Sequence, residues 1–333
     1  MLDRYTAALI REIEKWGKAH TNSTVDTVYI GGGTPSLMGK RIKIVADSIR
    51  RNFSVSENAE FTVEINPDSS GTNFLKFAKE SGINRVSVGV QSGDDCTLKA
   101  LGRKHTAQQS VRVVETARAL GFDNISVDLM IALPNSNLQT LKADIDFILS
   151  LTPKHISAYI LKIENNTAFA KSYGNLNLPD DDQTAEQYLF MCECFENAGY
   201  EHYEISNFAK DCFRSRHNMK YWRGCDYLGI GPSAHSFVDG KRFFYERDLK
   251  GFINSASTTP DGTGGDSTEE LMLRLRLKDG VDLSHIYKNI DAAVTKKLSV
   301  LQKSGYLNVD LPNVSLTDKG MLVSNSIITE LLE

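Results

Sequence analysis

Polar groups able to hold a ligand recur at one kind of place in this sequence, the point where a short apolar run gives out. Val28-Tyr-Ile30 runs into Gly31-Gly-Gly33-Thr34-Pro35, and Phe61-Thr-Val-Glu64-Ile65 into Asn66-Pro67. Val86-Ser-Val-Gly-Val90 meets Gln91, and Ile125-Ser-Val127 meets Asp128. Glycine admits backbone conformations closed to other residues and lets a ligand come close to the main chain. Unpaired amides at such a turn, ahead of a helix, form a polar cradle. A carboxylate, a carboxamide and a second carboxylate beside it are the partners that a ligand with hydroxyl and amine groups requires. Each has a plain structural role when taken singly, the glycines as a tight turn and the acids as caps on the next helix. Four in the same place of four successive units point to a binding site. Arg103 follows in Leu101-Gly-Arg-Lys-His105, and its planar fork suits a carboxylate; Lys104 and His105 read as a solvated face.

The elements that position these groups follow from periodicity. Short β-rich runs at 26–30, 60–65, 85–90, 125–130 and 155–161 alternate with helical stretches at 40–50, 73–81, 94–120 and 138–151. Such alternation specifies a parallel sheet of βα units, whose ligands lie at the C-terminal ends of the strands. Residues 1–20 read as an amphipathic helix with Tyr5, Leu9, Ile13 and Trp16 on one face. Asn66-Pro67-Asp68 stops the second strand and starts the next helix.

The second half is more polar from 165 to 210, with Asp180 capping a helix at 184–197 and a strand and turn at 200–208. His217 stands out in Arg216-His-Asn218-Met-Lys-Tyr221-Trp222. Imidazole is a common axial ligand of haem, and the neighbouring Tyr221 and Trp222 offer flat apolar faces. His235, after Gly229-Ile-Gly231, reads first as part of a close-packed turn at the barrel mouth. A Thr/Gly-rich stretch at 258–268 is the clearest break in composition and reads as a linker. Beyond it, helices at 269–277, 283–289 and 292–304, a hairpin and a last helix suggest a winged-helix shape. That region carries 8 lysines and arginines against 9 aspartates and glutamates, so it offers no basic face for nucleic acid.

The whole chain of 333 residues has a net charge of −4, which gives no electrostatic footprint for nucleic acid or anionic membrane. No apolar run approaches the ~18 residues of a membrane span, and a cytoplasmic location is expected. Cys96, Cys192, Cys194, Cys212 and Cys225 form no CxxC and no CxxxCxxC. An odd, scattered set reads as free buried or half-buried thiols.

Read in order, Gly31-Gly-Gly-Thr-Pro35, Glu64-Ile-Asn-Pro67, Val88-Gly-Val-Gln91, Leu101-Gly-Arg-Lys-His105, Ser126-Val-Asp128-Leu129 with Leu133-Pro134, and Ile156-Ser-Ala-Tyr159 resemble the radical S-adenosylmethionine (SAM) superfamily. Within it they are similar to the coproporphyrinogen III oxidase-like branch. His217-Asn218-x-x-Tyr221-Trp222 and Tyr227-Leu-Gly-Ile-Gly-Pro-Ser-Ala-His235-Ser236 resemble the members of that branch regarded as haem chaperones, not decarboxylating oxidases. The resemblance implies an α/β fold, a partial (β/α) barrel of radical SAM type without its first strand over 1–257. It also implies a small winged-helix-like α domain at 269–333. It places the amino group and carboxylate of SAM at Gly32, Gly33 and Thr34, and a ribose hydroxyl at Glu64, with Gln91, Arg103 and Asp128 completing the pocket. Haem falls to His217, Asn218, Tyr221 and Trp222, for delivery to an acceptor protein that the sequence does not name. Oxygen-independent oxidation of coproporphyrinogen III and a cluster-free SAM-binding remnant are the alternatives. The branch holds a 4Fe–4S cluster on a CxxxCxxC loop just upstream of a helix like residues 1–20. In this sequence that helix follows Met1 directly, so the expectation is a chain that assembles no cluster and cleaves no SAM. A reading frame that starts late is the favoured explanation, ahead of a genuine cluster-free paralogue.

Overall fold

The strands alternate in chemistry along their length, and the alternation builds the sheet. In β3 (Arg85–Gln91), Val86, Val88 and Val90 are wholly buried, while Arg85, Ser87, Gly89 and Gln91 occupy the intervening positions. Successive side chains of a strand point to opposite faces, so one face is apolar and the other polar. β1 (Thr24–Ile30), β2 (Ser54–Ile65), β4 (Asn124–Ile131) and β5 (His155–Ile160) repeat the pattern. The apolar face, with Phe61, Val63, Ile65, Ile125, Val127, Leu129 and Ile156, packs against helices in the main core.

The computed structural model describes residues 1–67, 71–163, 177–288 and 290–333. The seven strands of the main sheet run in the order β1-β2-β3-β4-β5-β7-β6, with β6 at Glu201–Glu204 and β7 at Asn207–Ala209. β1 to β5 are parallel; β7 pairs antiparallel with both β5 and β6. Residues of β1 to β5 and of β7 line one cavity, so the sheet curls with its polar face inward, as an open half-barrel. β1 forms one edge. Helices α1 (Leu2–Ala19), α2 (Arg41–Asn52), α3 (Gly71–Glu80), α4 (Asp95–Ala100), α5 (Ala107–Ala119), α6 (Leu138–Ser150) and α7 (Asp181–Asn197) come between or beside the strands. α1 buries Leu9 and Ile13, stacks Trp16 on Phe243 and donates from Trp16 Nε1 to the Tyr245 hydroxyl.

The expected helix over 94–120 is two helices. Gly102, at φ +69°, ends the first, and Thr106 caps the second in a reciprocal pair with Gln109. The break exists because a left-handed glycine and a strong N-cap both outweigh continued helical periodicity, and it places Arg103 in a turn. His105, expected on a solvated face, is buried, with Nε2 3.1 Å from the carbonyl of Val90; Lys104 is exposed. Asp180 caps α7 as expected, accepting from the amide of Gln183. Asp68, the residues 165–176 and Asn289 lie outside the described residues.

α8 (Arg216–Trp222), a sheet of β8 (His235–Val238), β9 (Lys241–Tyr245) and β10 (Thr258–Thr263), and α9 (Leu249–Ser255) follow. The stretch read as a linker thus carries a strand paired with β9 through Thr258, Thr259, Pro260 and Thr263, in keeping with the preference of threonine for strands. The last region contains α10 (Ser267–Arg274), β11 (Val281–Asp282), α11 (Ala292–Lys303), β12 (Leu307–Asp310), β13 (Asn313–Leu316), α12 (Asp318–Leu322) and α13 (Ser324–Leu332). Its three strands pair in the order β11-β13-β12. The helix expected at 283–289 is only a 3-10 turn over Leu283–His285, and the last helix is split at Val323.

Candidate functional site

Three of the strand ends converge on Gly89. A β-carbon there would lie 3.0 Å from Gln91 Nε2, 3.4 Å from Asn66 Oδ1 and 3.9 Å from Asp128 Oδ2, so glycine leaves the space that these groups face. Gln91 ends β3 with φ +71° and accepts from the Tyr159 hydroxyl at 2.7 Å. Ser87 donates to Asp128 Oδ1 at 3.2 Å. Burial pushes the Asp128 carboxyl up to about 7; the Ser87 hydroxyl draws it down, the Glu64 charge adds to the rise, and Arg85 and Arg103 oppose it. Asp128 therefore changes charge near neutral pH. Arg103 acts on Asp128 and on Tyr159 through its charge.

Glu64 sits a strand away and is turned toward the glycine triplet. Its Oε1 accepts from the Tyr29 hydroxyl at 2.8 Å and its Oε2 from the amide of Gly32 at 2.9 Å. A β-carbon on Gly31 would come within 2.6 Å of both Glu64 and Tyr29, and Gly32 has φ +86°. Both glycines are thus required by geometry, one by close approach and one by conformation. Gly32 and Gly33 are exposed at the sheet edge with open space above them, and Thr34 Oγ1 accepts from Asn66 Nδ2 at 3.4 Å. Carboxylate and carboxamide acceptors, an exposed amide edge and a nearby guanidinium are the groups that an amino-acid head and a ribose engage.

α8 is held against the polar face from below. Glu60, on β2, accepts the amides of Arg216 at 3.1 Å and His217 at 3.0 Å, and Ser215 caps the helix. A carboxylate at a helix N-terminus is favoured by both hydrogen bonding and the helix dipole. His217 Nδ1 lies 2.9 Å from Thr27 Oγ1, Nε2 lies 2.9 Å from the Tyr221 hydroxyl, and the ring stacks on Tyr29 at 5.2 Å. Burial lowers its pKa to about 4, so the imidazole is neutral in the physiological range. The four residues of the motif do not share one face. Asn218 joins Tyr29, Glu64, Arg85, Ser126, Asp128 and His155 around the inner cavity of ≈ 250 Å³. Tyr221 and Trp222 instead line an outer cleft of ≈ 280 Å³ with Arg223, Tyr227 and Phe237. His235, expected near the barrel mouth, is exposed on β8 and stacks on Phe244.

Sequence reasoning missed the floor of the barrel. Ser126 Oγ, His155 and Tyr203 form a chain, at 2.8 Å to Nδ1 and 2.7 Å from Nε2 to the Tyr203 oxygen, which also accepts the Ser215 amide at 3.1 Å. With that oxygen accepting from Ser215, its proton goes to Nε2 and Nδ1–H donates to Ser126. Burial holds His155 well below its usual pKa, so this neutral chain ties α8 to β5. The period-two polarity of the strands was the signal that could have located it.

The cysteines do not gather. Cys192 is buried, Cys194 and Cys225 are half-buried, and Cys96 and Cys212 are exposed, contrary to the expectation that all are at least half-buried. Cys192 has His202 and Asp318 as neighbours, not other thiols. Asp318 there is bound to His202 at 2.9 Å and Lys278 at 2.5 Å, a cation pairing that a metal site would not keep. No three thiolates among the described residues fit a 4Fe–4S cluster.

The radical SAM superfamily profile matches residues 2–148 and the HemN C-terminal domain profile residues 267–323. The haem chaperone HemW of Bacillus subtilis is 35% identical, the alignment covering 98% of this chain and 90% of that protein. That of Escherichia coli is 32% identical, covering 98% and 89%. The structure of coproporphyrinogen III oxidase HemN from Escherichia coli, a radical SAM enzyme, superposes with a TM-score of 0.83 at 21% identity, over 99% of this chain and 83% of that one. At that identity it shows the shared fold. No helix among the described residues is long and apolar enough to cross a membrane.

Proposed function

The chain belongs to the HemW family of the radical SAM superfamily, and from that premise we propose that it binds haem at His217 and passes it to an acceptor protein. In this reading SAM lies at the strand ends beside the haem. The observation that carries it is Tyr29, whose ring stacks on His217 while its hydroxyl holds Glu64. A haem ligand and a cofactor ligand are thus joined by one side chain. His217 is neutral, the form that ligates iron. Iron would take Nε2 in place of the Tyr221 hydroxyl, with Tyr221 and Trp222 offering flat faces on the outer side of α8 and Asn218 on the inner side. SAM supplies, when bound, an amino-acid head group and a ribose. Gly32, Gly33 and Thr34 would meet the head group, Glu64 a ribose hydroxyl, and Gln91, Arg103 and Asp128 would complete the pocket. The five free thiols support a reducing compartment, the cytoplasm.

The test is a haem titration of the full chain followed in the Soret band, beside His217→Ala. A saturable Soret shift that is lost or weakened at least tenfold in the variant is expected. No shift in the unaltered chain, or an unchanged one in the variant, would contradict the reading.

A further inference from the structure

Arg85 opens β3 on the polar face of the half-barrel and is 2% exposed. Its Nη1 donates to Thr62 Oγ1 over a long 3.4 Å, and its Nε finds no acceptor among the described residues. No ion pair involves it there. The carboxylates around that face are engaged elsewhere: Glu60 on the amides of α8, Glu64 on Tyr29 and Gly32, Asp128 on Ser87, and Glu204 on Asn207 and the amide of Ser206. A guanidinium withdrawn from water without a paired anion is costly, and such groups are normally matched by a carboxylate or phosphate. Arg85 lines the inner cavity of ≈ 250 Å³ together with Ser87, Ser126, His155, Ser157, Asn207 and others. That volume exceeds a carboxylate alone and leaves room for a short carbon body.

The geometry points to an anion site in the barrel interior, built on Arg85, that takes a small ligand through one carboxylate group. Arg85 lines the cavity, and a guanidinium carries pairs of coplanar donors, the pattern that grips both oxygens of a carboxylate. Glu64 and Asp128 at the upper rim disfavour a doubly charged anion, which selects a monocarboxylate over a phosphate. Six positions along β3 separate Arg85 from Gln91, so the site lies deeper than the strand-end pocket. Glu64 and Asp128 line the upper part of the same cavity, so the ligand proposed for Arg85 sits beneath the strand-end pocket as a separate molecule, and it does not depend on the haem reading.

Propionate and its uncharged isostere propionamide are the probes, titrated into the full chain while the thermal unfolding midpoint and the side-chain 15N signals of His155 are followed. Propionate should raise the midpoint saturably and move the His155 signals, with propionamide doing neither. Arg85→Met should abolish both responses and Arg85→Lys should weaken them at least several-fold. If Arg85→Met fails to fold, the contrast between the two probes at His155 in the unaltered chain decides. Equal responses to both probes, no response to either, or an undiminished propionate response in Arg85→Met would overturn the site. Loss of the propionate response when S-adenosylhomocysteine is bound would assign the carboxylate to the cofactor and overturn the separate ligand.

Discussion

Glu64 and Asp128 illustrate how much a single residue's surroundings decide. Both are carboxylates at strand ends, yet one is held by a tyrosine hydroxyl and a glycine amide and the other by a serine in a setting that pushes it up to about 7. Either Glu64→Ala or Asp128→Ala should weaken SAM binding by ~1–3 kcal/mol, because polar groups of the ligand are left unpaired. Calorimetry with unchanged affinity in both variants would contradict that placement. His217 gives a sharper prediction in pH. Its pKa is lowered from 6.5 to about 4, so the free protein keeps the ligating neutral form well below the range where an exposed histidine protonates. Haem affinity through His217, read as the difference from His217→Ala, should stay flat as pH falls from 8 to 5 and decline only near 4; a decline beginning at 6.5 would contradict a buried imidazole. The residue types at these positions were legible in the sequence. Their orientation was not: that His217 and Asn218 turn inward while Tyr221 and Trp222 turn outward depends on how α8 is docked, which no local pattern encodes.

At the scale of elements, α8 is too short to be stable by itself, so its position rests on tertiary contacts. Glu60→Ala removes the acceptor of two amides at once and should cost ~1–3 kcal/mol locally. Hydrogen exchange should quicken at the Arg216 and His217 amides, with haem affinity falling and the main sheet protected as before. Equal loss of protection across β3 and β4 would show a global effect instead. The glycine triplet makes a comparable case. Gly31→Ala places a carbon 2.6 Å from Glu64 and Tyr29, so it should displace Glu64 and weaken cofactor binding with little change in unfolding midpoint; an unaltered affinity would contradict the observed approach. The five parallel strands and the βα order were readable because β-rich runs and turn signals repeat. Two elements misread from the sequence share a cause. The break at Gly102 and the strand at Thr258–Thr263 are both decided by what pairs or caps a segment, not by its own composition.

The whole molecule joins its C-terminal region to the half-barrel through Asp318, which is bound by His202 of β6 and by Lys278. The His202 hydrogen bond, aided by Lys278, holds the Asp318 carboxyl down at about 2 against the effect of burial. Asp318→Ala would leave the buried His202 ring without that partner and should cost ~1–3 kcal/mol in urea unfolding at neutral pH. A depressed carboxyl stabilises the fold above its unfolded value of 3.8 and loses that contribution as pH falls toward 2, so the difference between variant and unaltered chain should be constant from pH 5 to 8. A difference confined to acid pH would contradict the contact. Family and general architecture were legible from the motifs, since glycines, carboxylates and the His217 segment fall in a fixed order. The polar interior with Arg85 and His155 was not legible, because period-two polarity shows which residues share a face of a strand but not that the sheet curls that face around a cavity.

In the function proposed above, haem and SAM occupy one connected site, joined at Tyr29. The direct test is the affinity for haem, measured in the Soret band with and without saturating S-adenosylhomocysteine, in the unaltered chain and in Tyr29→Phe, which keeps the ring but loses the bond to Glu64. Coupled sites differ by about fivefold or more and reciprocally, so the analogue should change haem affinity by at least that factor in the unaltered chain, and by clearly less in Tyr29→Phe. Haem affinity that is the same with and without the analogue would contradict the connection.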